Sequence, residues 1–296
     1  MQGLRQQGRY YNLELDEVIK LKIDLNKYNR NEYIIMDLIS TTGTKNPIST
    51  SLLFSNRSVL ANFDFGNKLK LVNYVKLSKV GNNAVFTNAD ESITEFVYDS
   101  STSKLYNKEK RLTGQWVYED YEEEPHTFVV TDKEGLEIDY PLNKNYPSII
   151  KNKNKQTTNS ETSTGFNIFN NVNDNITFYK SNGLVTTIDW TKGGELNKKV
   201  LLTYTINTIS NIKIKNINGE IINQYNFIFT DSTIEIINVK TTKRVLITIG
   251  ENSTTVKRGY ESTYVKGITD TIEYVENRLT KVKDGLDNVT TYFSFD

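Results

Sequence analysis

Apolar and polar residues alternate one for one over long stretches of this chain. Val200, Leu202, Tyr204 and Ile206 interleave with Leu201, Thr203 and Thr205, and Ile212 and Ile214 with Lys213 and Lys215. Val245, Ile247 and Ile249 repeat the pattern, as do Ile272 and Tyr274. A period of two sends successive side chains to opposite faces of a sheet, so these segments predict half-buried antiparallel strands. In Ile234, Ile236, Ile237 and Val239 the phase slips by one, which predicts a bulge or burial on both faces. Helical spacing is nearly absent. Its best candidate is Leu13 to Leu21, where Leu13, Leu15 and Leu21 suit a strand as well as Leu15, Val18 and Ile19 suit a helical turn.

The punctuation between these runs agrees with a meander. Asn182-Gly183, Asn218-Gly219 and Asp284-Gly285 each interrupt strand-like segments, and such dipeptides accept the positive φ of a two-residue hairpin turn. Consecutive strands are therefore expected to pair with their sequence neighbours in an extended antiparallel β-hairpin meander. Asn143 to Gly165 is rich in Asn, Lys, Thr and Ser without sustained apolar periodicity and reads as a long loop or join. The resulting division is a strand-rich lead-in over 1–50, a β segment over 51–150, a polar join over 151–165 and hairpins over 166–296.

Composition narrows the function classes. Of 296 residues, 36 are Lys or Arg and 36 Asp or Glu, with one His and no Cys. A zero balance lacks the basic footprint of a nucleic-acid binder or a polybasic membrane anchor. Without cysteine there is no disulfide framework, thiolate metal site or Cys nucleophile, and a single His126 precludes a multi-histidine metal site. Counting Tyr but not Gly, 37% of residues are hydrophobic, low beside the roughly 45–50% of ordinary domains counted with Gly. The eighteen Tyr, with abundant Thr, Ile and Asn, suit strands and turns. A wide sheet with a thin core is expected. Residues 1–9 hold no apolar leader core, and no later stretch approaches the length of a membrane-spanning helix. Neither a nucleic-acid partner nor membrane insertion is implied.

The most specific motif is at the C-terminus. From Tyr274 onward, Arg278-Leu279-Thr280, Asp284 and Asn288-Val289-Thr290-Thr291-Tyr292 keep an order and spacing that resembles one unit of the Rhs family, also called YD repeats. Val275-Glu276, Asp287 and Phe295-Asp296 depart from the family's Tyr-Asp and Gly positions. Upstream, Asn182 to Asp189 is similar to another unit, with Val200 to Tyr204 as its return strand. Ala89 to Asp99, Thr131 to Tyr140 and Phe65-Gly66 followed by Leu69 and Leu71 are similar to the segment that precedes such repeats. The resemblance thus makes 51–150 the Rhs-preceding segment and 166–296 degenerate YD-repeat hairpins. It implies a large spiralling or curved β-sheet, which in several members closes as a shell around a toxin segment, while others are wall-associated or bind surface glycans. It also implies continuation through open sheet edges, by further Rhs repeats or a partner polypeptide, because the chain stops on a Tyr-Asp-like pair. A secreted, cell-surface or virion-associated setting follows from the resemblance more readily than a cytoplasmic enzyme.

Candidate chemistry is sparse. His126 follows the acidic run Glu119 to Glu124 with no Gly-x-Ser-x-Gly to frame it, and reads as a solvated turn histidine. The acidic run lacks the alternating oxygen ligands and tight Gly of a cation loop, and Gly193-Gly194 is not followed by the Lys-Ser/Thr of a phosphate loop. No metal or cofactor is expected. Paired carboxylates are the only catalytic chemistry the composition permits, and nothing selects a pair. Trp116 with Tyr118 and Tyr121, and Trp190, offer aromatic faces for stacking on a pyranose ring at a cell-surface glycan. Filling the thin core is the weightier role for the same rings. The expectation is a non-enzymatic β-scaffold, with a glycan-binding surface or phage-tail recognition module as the alternative.

Overall fold

The computed structural model describes residues 10–15, 17–24, 32–41, 46–55, 64–107, 112–119, 123–152, 155–162, 164–260, 263–275, 278–283, 286 and 288–291. All regular structure in them is β. The first strands are β1 (Tyr10–Glu14), β2 (Ile19–Asp24), β3 (Glu32–Ser40), β4 (Ser49–Ser55) and β5 (Leu69–Leu71). Next come β6 (Val75–Val80), β7 (Asn83–Asn88), β8 (Ile93–Asp99), β9 (Lys104–Asn107), β10 (Leu112–Val117), β11 (Thr127–Thr131) and β12 (Glu137–Pro141). They are followed by β13 (Ile149–Asn152), β14 (Lys155–Thr162), β15 (Gly165–Asn170), β16 (Asp174–Ser181), β17 (Leu184–Lys192), β18 (Glu195–Thr205) and β19 (Thr208–Asn216). The last are β20 (Ile221–Phe229), β21 (Thr233–Asn238), β22 (Lys243–Ile249), β23 (Ser253–Tyr260), β24 (Thr263–Val275), β25 (Arg278–Lys283) and β26 (Val289–Thr291). The chain forms two compact units, one built on 37–53 and 70–198 and the other on 8–36, 54–69 and 199–296.

In the first unit β6 to β17 run as antiparallel neighbours in chain order. The inner face carries Leu77, Ala84, Phe86, Phe96, Trp116, Phe128, Val130, Ile138 and Tyr140, all buried. This sheet is strongly curved, as its ring contacts require. Phe86 on β7 and Tyr140 on β12 are five strands apart, which in a flat sheet is about 24 Å. Their ring centroids are 4.9 Å apart, edge to face. Phe96 and Phe128 meet at 5.3 Å, and the Val75 amide at the start of β6 donates to the Asn145 carbonyl beyond β12 at 2.8 Å. The sheet therefore curls until its inner face meets itself, and the aromatic rings fill the space that few aliphatics were available to fill.

The second unit repeats the scheme with branched aliphatics. Ile212 and Ile214 on β19, Ile234 and Ile236 on β21, Val245 and Ile247 on β22 and Val256 on β23 are buried at alternating positions, in the register that the sequence alternation predicts. Phe54 stacks on Phe229 at 4.7 Å. Leu13 to Leu21 resolves as the β1–β2 hairpin, closed by the Leu15 amide on the Ile19 carbonyl. In the strand order β1-β2-β3, β1 has a hydrogen-bonded neighbour on one side only.

Two local expectations are corrected. Asn143 to Gly165 is not a loop, since it contains the whole of β13 and β14, with β14 paired in register with β15. Thr157 and Asn159 occupy the buried positions of β14, and the Asn159 amide N donates to the Ser148 carbonyl. A strand whose inward residues are polar has period two without apolar alternation. The phase slip at Ile237 is neither a bulge nor two-faced burial. Burial alternates regularly through β21, Asn238 takes the last inward position, and Val239 lies beyond the strand end.

Candidate functional site

The curl of the first unit leaves a cleft of about 580 Å³ among the β6–β7 turn, the β8–β9 turn, β10 and β11. Ligand sites of small molecules span about 300–1,000 Å³. Its geometry starts from β10, where Gly114 and Trp116 point inward. Trp116 is 8% exposed, lies edge-on to Phe128 at 4.7 Å, and its indole N–H donates to the Asn82 carbonyl at 3.4 Å. Gly114 is needed beside it, because a Cβ there would stand 2.1 Å from the Phe128 ring. Tyr118, two residues on, is 48% exposed, with Lys79 Nζ 6.0 Å from its ring centre. Tyr98 at the end of β8 is exposed to a similar degree and completes an aromatic rim.

Polar groups line the rest. Gln115, Asn82, Thr102, Ser103, Thr113 and Thr131 line the cleft, as do Lys79 and Lys104. The β8–β9 turn is held by Asp99, whose carboxylate accepts from the Ser101 hydroxyl at 2.6 Å and the Ser101 amide at 2.9 Å. These bonds hold its carboxyl below the usual carboxylate range. Lys79 Nζ donates to Glu124 Oε2 at 2.9 Å, and that bond raises the ammonium above its ordinary value.

Of the aromatic residues expected from sequence, the cleft unites Trp116 and Tyr118 but not Trp190. Trp190, on β17, donates its indole N–H to Asp174 Oδ1 at 3.2 Å. Asp174 is fully buried and also accepts from Asn170 Nδ2 at 3.1 Å, while Asn170 Oδ1 takes the amides of Val172 and Asp174. Trp190 thus closes a buried polar knot at the β15–β16 turn. His126 has its Nδ1 2.7 Å from the Thr127 hydroxyl and Nε2 4.0 Å from Glu119. Its backbone joins β10 to the segment after β12, accepting from Leu142 and donating to Val117. Arg278, Leu279 and Thr280 of the repeat signature lie on β25, paired with β24, and Asn288 is exposed just before β26. Asp284, Gly285 and Tyr292 lie outside the described residues, as does Tyr121.

Tyr98 and Lys79 are absent from the sequence-based set. Tyr98 stands in the Ala89 to Asp99 stretch read as similar to the segment that precedes such repeats, and no local spacing links it to β10, since only the curl brings them together.

Among the described residues no group of three or more His, Asp or Glu side chains is placed to hold a metal ion, and no helix is long and apolar enough to cross a membrane. No protein-family model matches the chain, and no curated protein is similar to it. An aromatic rim, a floor of hydroxyls and amides and two ammonium groups can stack on, hydrogen-bond and attract a ligand. Among the described residues that line the cleft there is no Asp or Glu.

Proposed function

We propose that the chain is a non-enzymatic β-scaffold, of the kind the Rhs resemblance implies, that encloses, displays or docks a partner polypeptide or toxin segment. The observation that carries this reading is the sequential meander itself. Within β1–β5 and within β6–β26 each strand pairs with the next in the chain, and β1 leaves one side unpaired in its five-stranded sheet. Unpaired strand edges accept further strands. The test is co-expression with the polypeptides encoded by the neighbouring genes. Co-purification in a fixed ratio, with the partner shielded from added protease, is expected. Separate elution with unshielded digestion would overturn the reading.

A second reading is favoured by the cleft. Exposed Tyr rings beside clustered hydroxyl and amide groups are the chemistry of glycan recognition, which suits a surface-displayed module on a cell or virion. Trp116 supports that cleft as its wall rather than as a stacking face, and Trp190 is not part of it.

A further inference from the structure

Resting on the glycan-recognition reading, we infer that the cleft takes an acidic saccharide, a sugar bearing a carboxylate such as a uronic-acid residue within a larger glycan. Charge is the first reason. The chain as a whole is neutral, yet among the described residues that line the cleft the charged ones are Lys79 and Lys104, with a single carboxylate, that of Glu124, bonded to Lys79 at its mouth. The local bias is therefore a property of this cleft and not of a generally basic surface.

The second reason is the state of Lys79. Its ammonium already holds a carboxylate, that of Glu124, at 2.9 Å beside the Tyr118 ring. Glu124 is 76% exposed, so its carboxylate sits at the mouth of the cleft and is exchangeable with solvent groups. A ligand carboxylate arriving at Lys79 would make the same charge-assisted bond. The sugar ring attached to it would lie against the Tyr118 face, with its hydroxyls toward Gln115 and Thr113. Glu124 is thus an internal stand-in for the ligand, and a competitor with it.

The third reason is rigidity. Lys79 lies on β6 and Tyr98 on β8, while Tyr118 immediately follows β10, and the rings of Phe86 on β7, Phe96 on β8 and Phe128 on β11 pack against one another behind them. Groups carried by packed strands keep their spacing, which favours a preorganised site.

The experiment is calorimetric titration of the full chain with a uronic-acid trisaccharide and with the same trisaccharide after reduction of its carboxylates to hydroxymethyl groups. The acidic form is expected to bind about tenfold tighter at low salt. Lys79→Gln should erase that preference while leaving the neutral form's affinity unchanged, and Glu124→Gln should tighten the acidic form several-fold by removing the competitor. Tyr118→Ala should weaken both. All three side chains are solvent-exposed at least in part, and an unchanged melting temperature verifies each variant's fold. Equal affinity of the two trisaccharides would overturn the acidic class and leave glycan recognition standing. Binding of neither would overturn both.

Discussion

On the neighbouring strands β10 and β11, Gly114 stands opposite Val130 and Phe128 opposite Trp116, and the Phe128 ring leans over Gly114 into the space a side chain there would need. Phe128 cannot step aside, because Phe86, Phe96 and Trp116 hold its other faces. Gly114→Ala is therefore expected to cost about 1–3 kcal/mol by overpacking, read as a lowered denaturant midpoint with unchanged slope. Asp139 gives a pH-dependent counterpart. One of its carboxylate oxygens is buried without a partner, and burial raises its pKa despite the nearby Lys151 ammonium. A carboxyl whose folded pKa is raised binds its proton more tightly when folded, so its penalty vanishes below the carboxylate range and is complete above the raised pKa. Asp139→Asn should accordingly melt higher than the parent at pH 7, with the gap closing as pH falls through the acid range. A gap that widens on acidification would refute the assignment.

Hairpin turns decide the elements. Asn182 and Gly183 have φ of 51° and 79°, the left-handed pair that the dipeptide predicts. At Asn218-Gly219 only the Gly is left-handed, because Asn216 Oδ1 instead takes the amides of Asn218 and Glu220 and widens the turn. The β18–β19 turn uses Ile206 at φ 48° and Asn207 at φ 60°. A β-branched residue is strained there, and Ile206 is 91% exposed with no packing to offset it. Ile206→Asn should stabilise the chain by about 1 kcal/mol, measured by chemical denaturation. The same comparison shows what alternation conveys. Val200 and Leu202, or Val245 and Ile247, announce their strands because the inward set is aliphatic. β14 is hidden because Thr157 and Asn159 fill inward positions, Asn159 donating its Nδ2 to the Pro147 carbonyl, and a hydropathy pattern does not register a buried polar side chain. In the site, Trp116 and Tyr118 are legible as two rings on one strand face. Lys79 and Tyr98 are not, since tens of residues separate Lys79 from β10 and only the curvature of the sheet unites them.

At the scale of the whole molecule, the even charge balance acquires a structural meaning. Glu137 with Lys151 and Glu273 with Lys281 stand directly opposite each other on adjacent strands, and Arg244 reaches Glu235 across the β21–β22 hairpin. Such exposed pairs contribute little each, about 0–1 kcal/mol, but they match strand to strand and favour register. The ionisable groups thus serve pairing, the rings serve the thin core, and the cleft is left with lysines, hydroxyls and Tyr faces. The proposed function is to hold a ligand or partner without transforming it. The most direct measurement is a saturating incubation of the chain with a uronic-acid oligosaccharide, with binding followed by tryptophan fluorescence and the saccharide afterwards recovered and weighed by mass spectrometry. The account predicts a saturable fluorescence change and a saccharide returned at its original mass. Shortened saccharide, formed at a rate proportional to chain concentration, would contradict it.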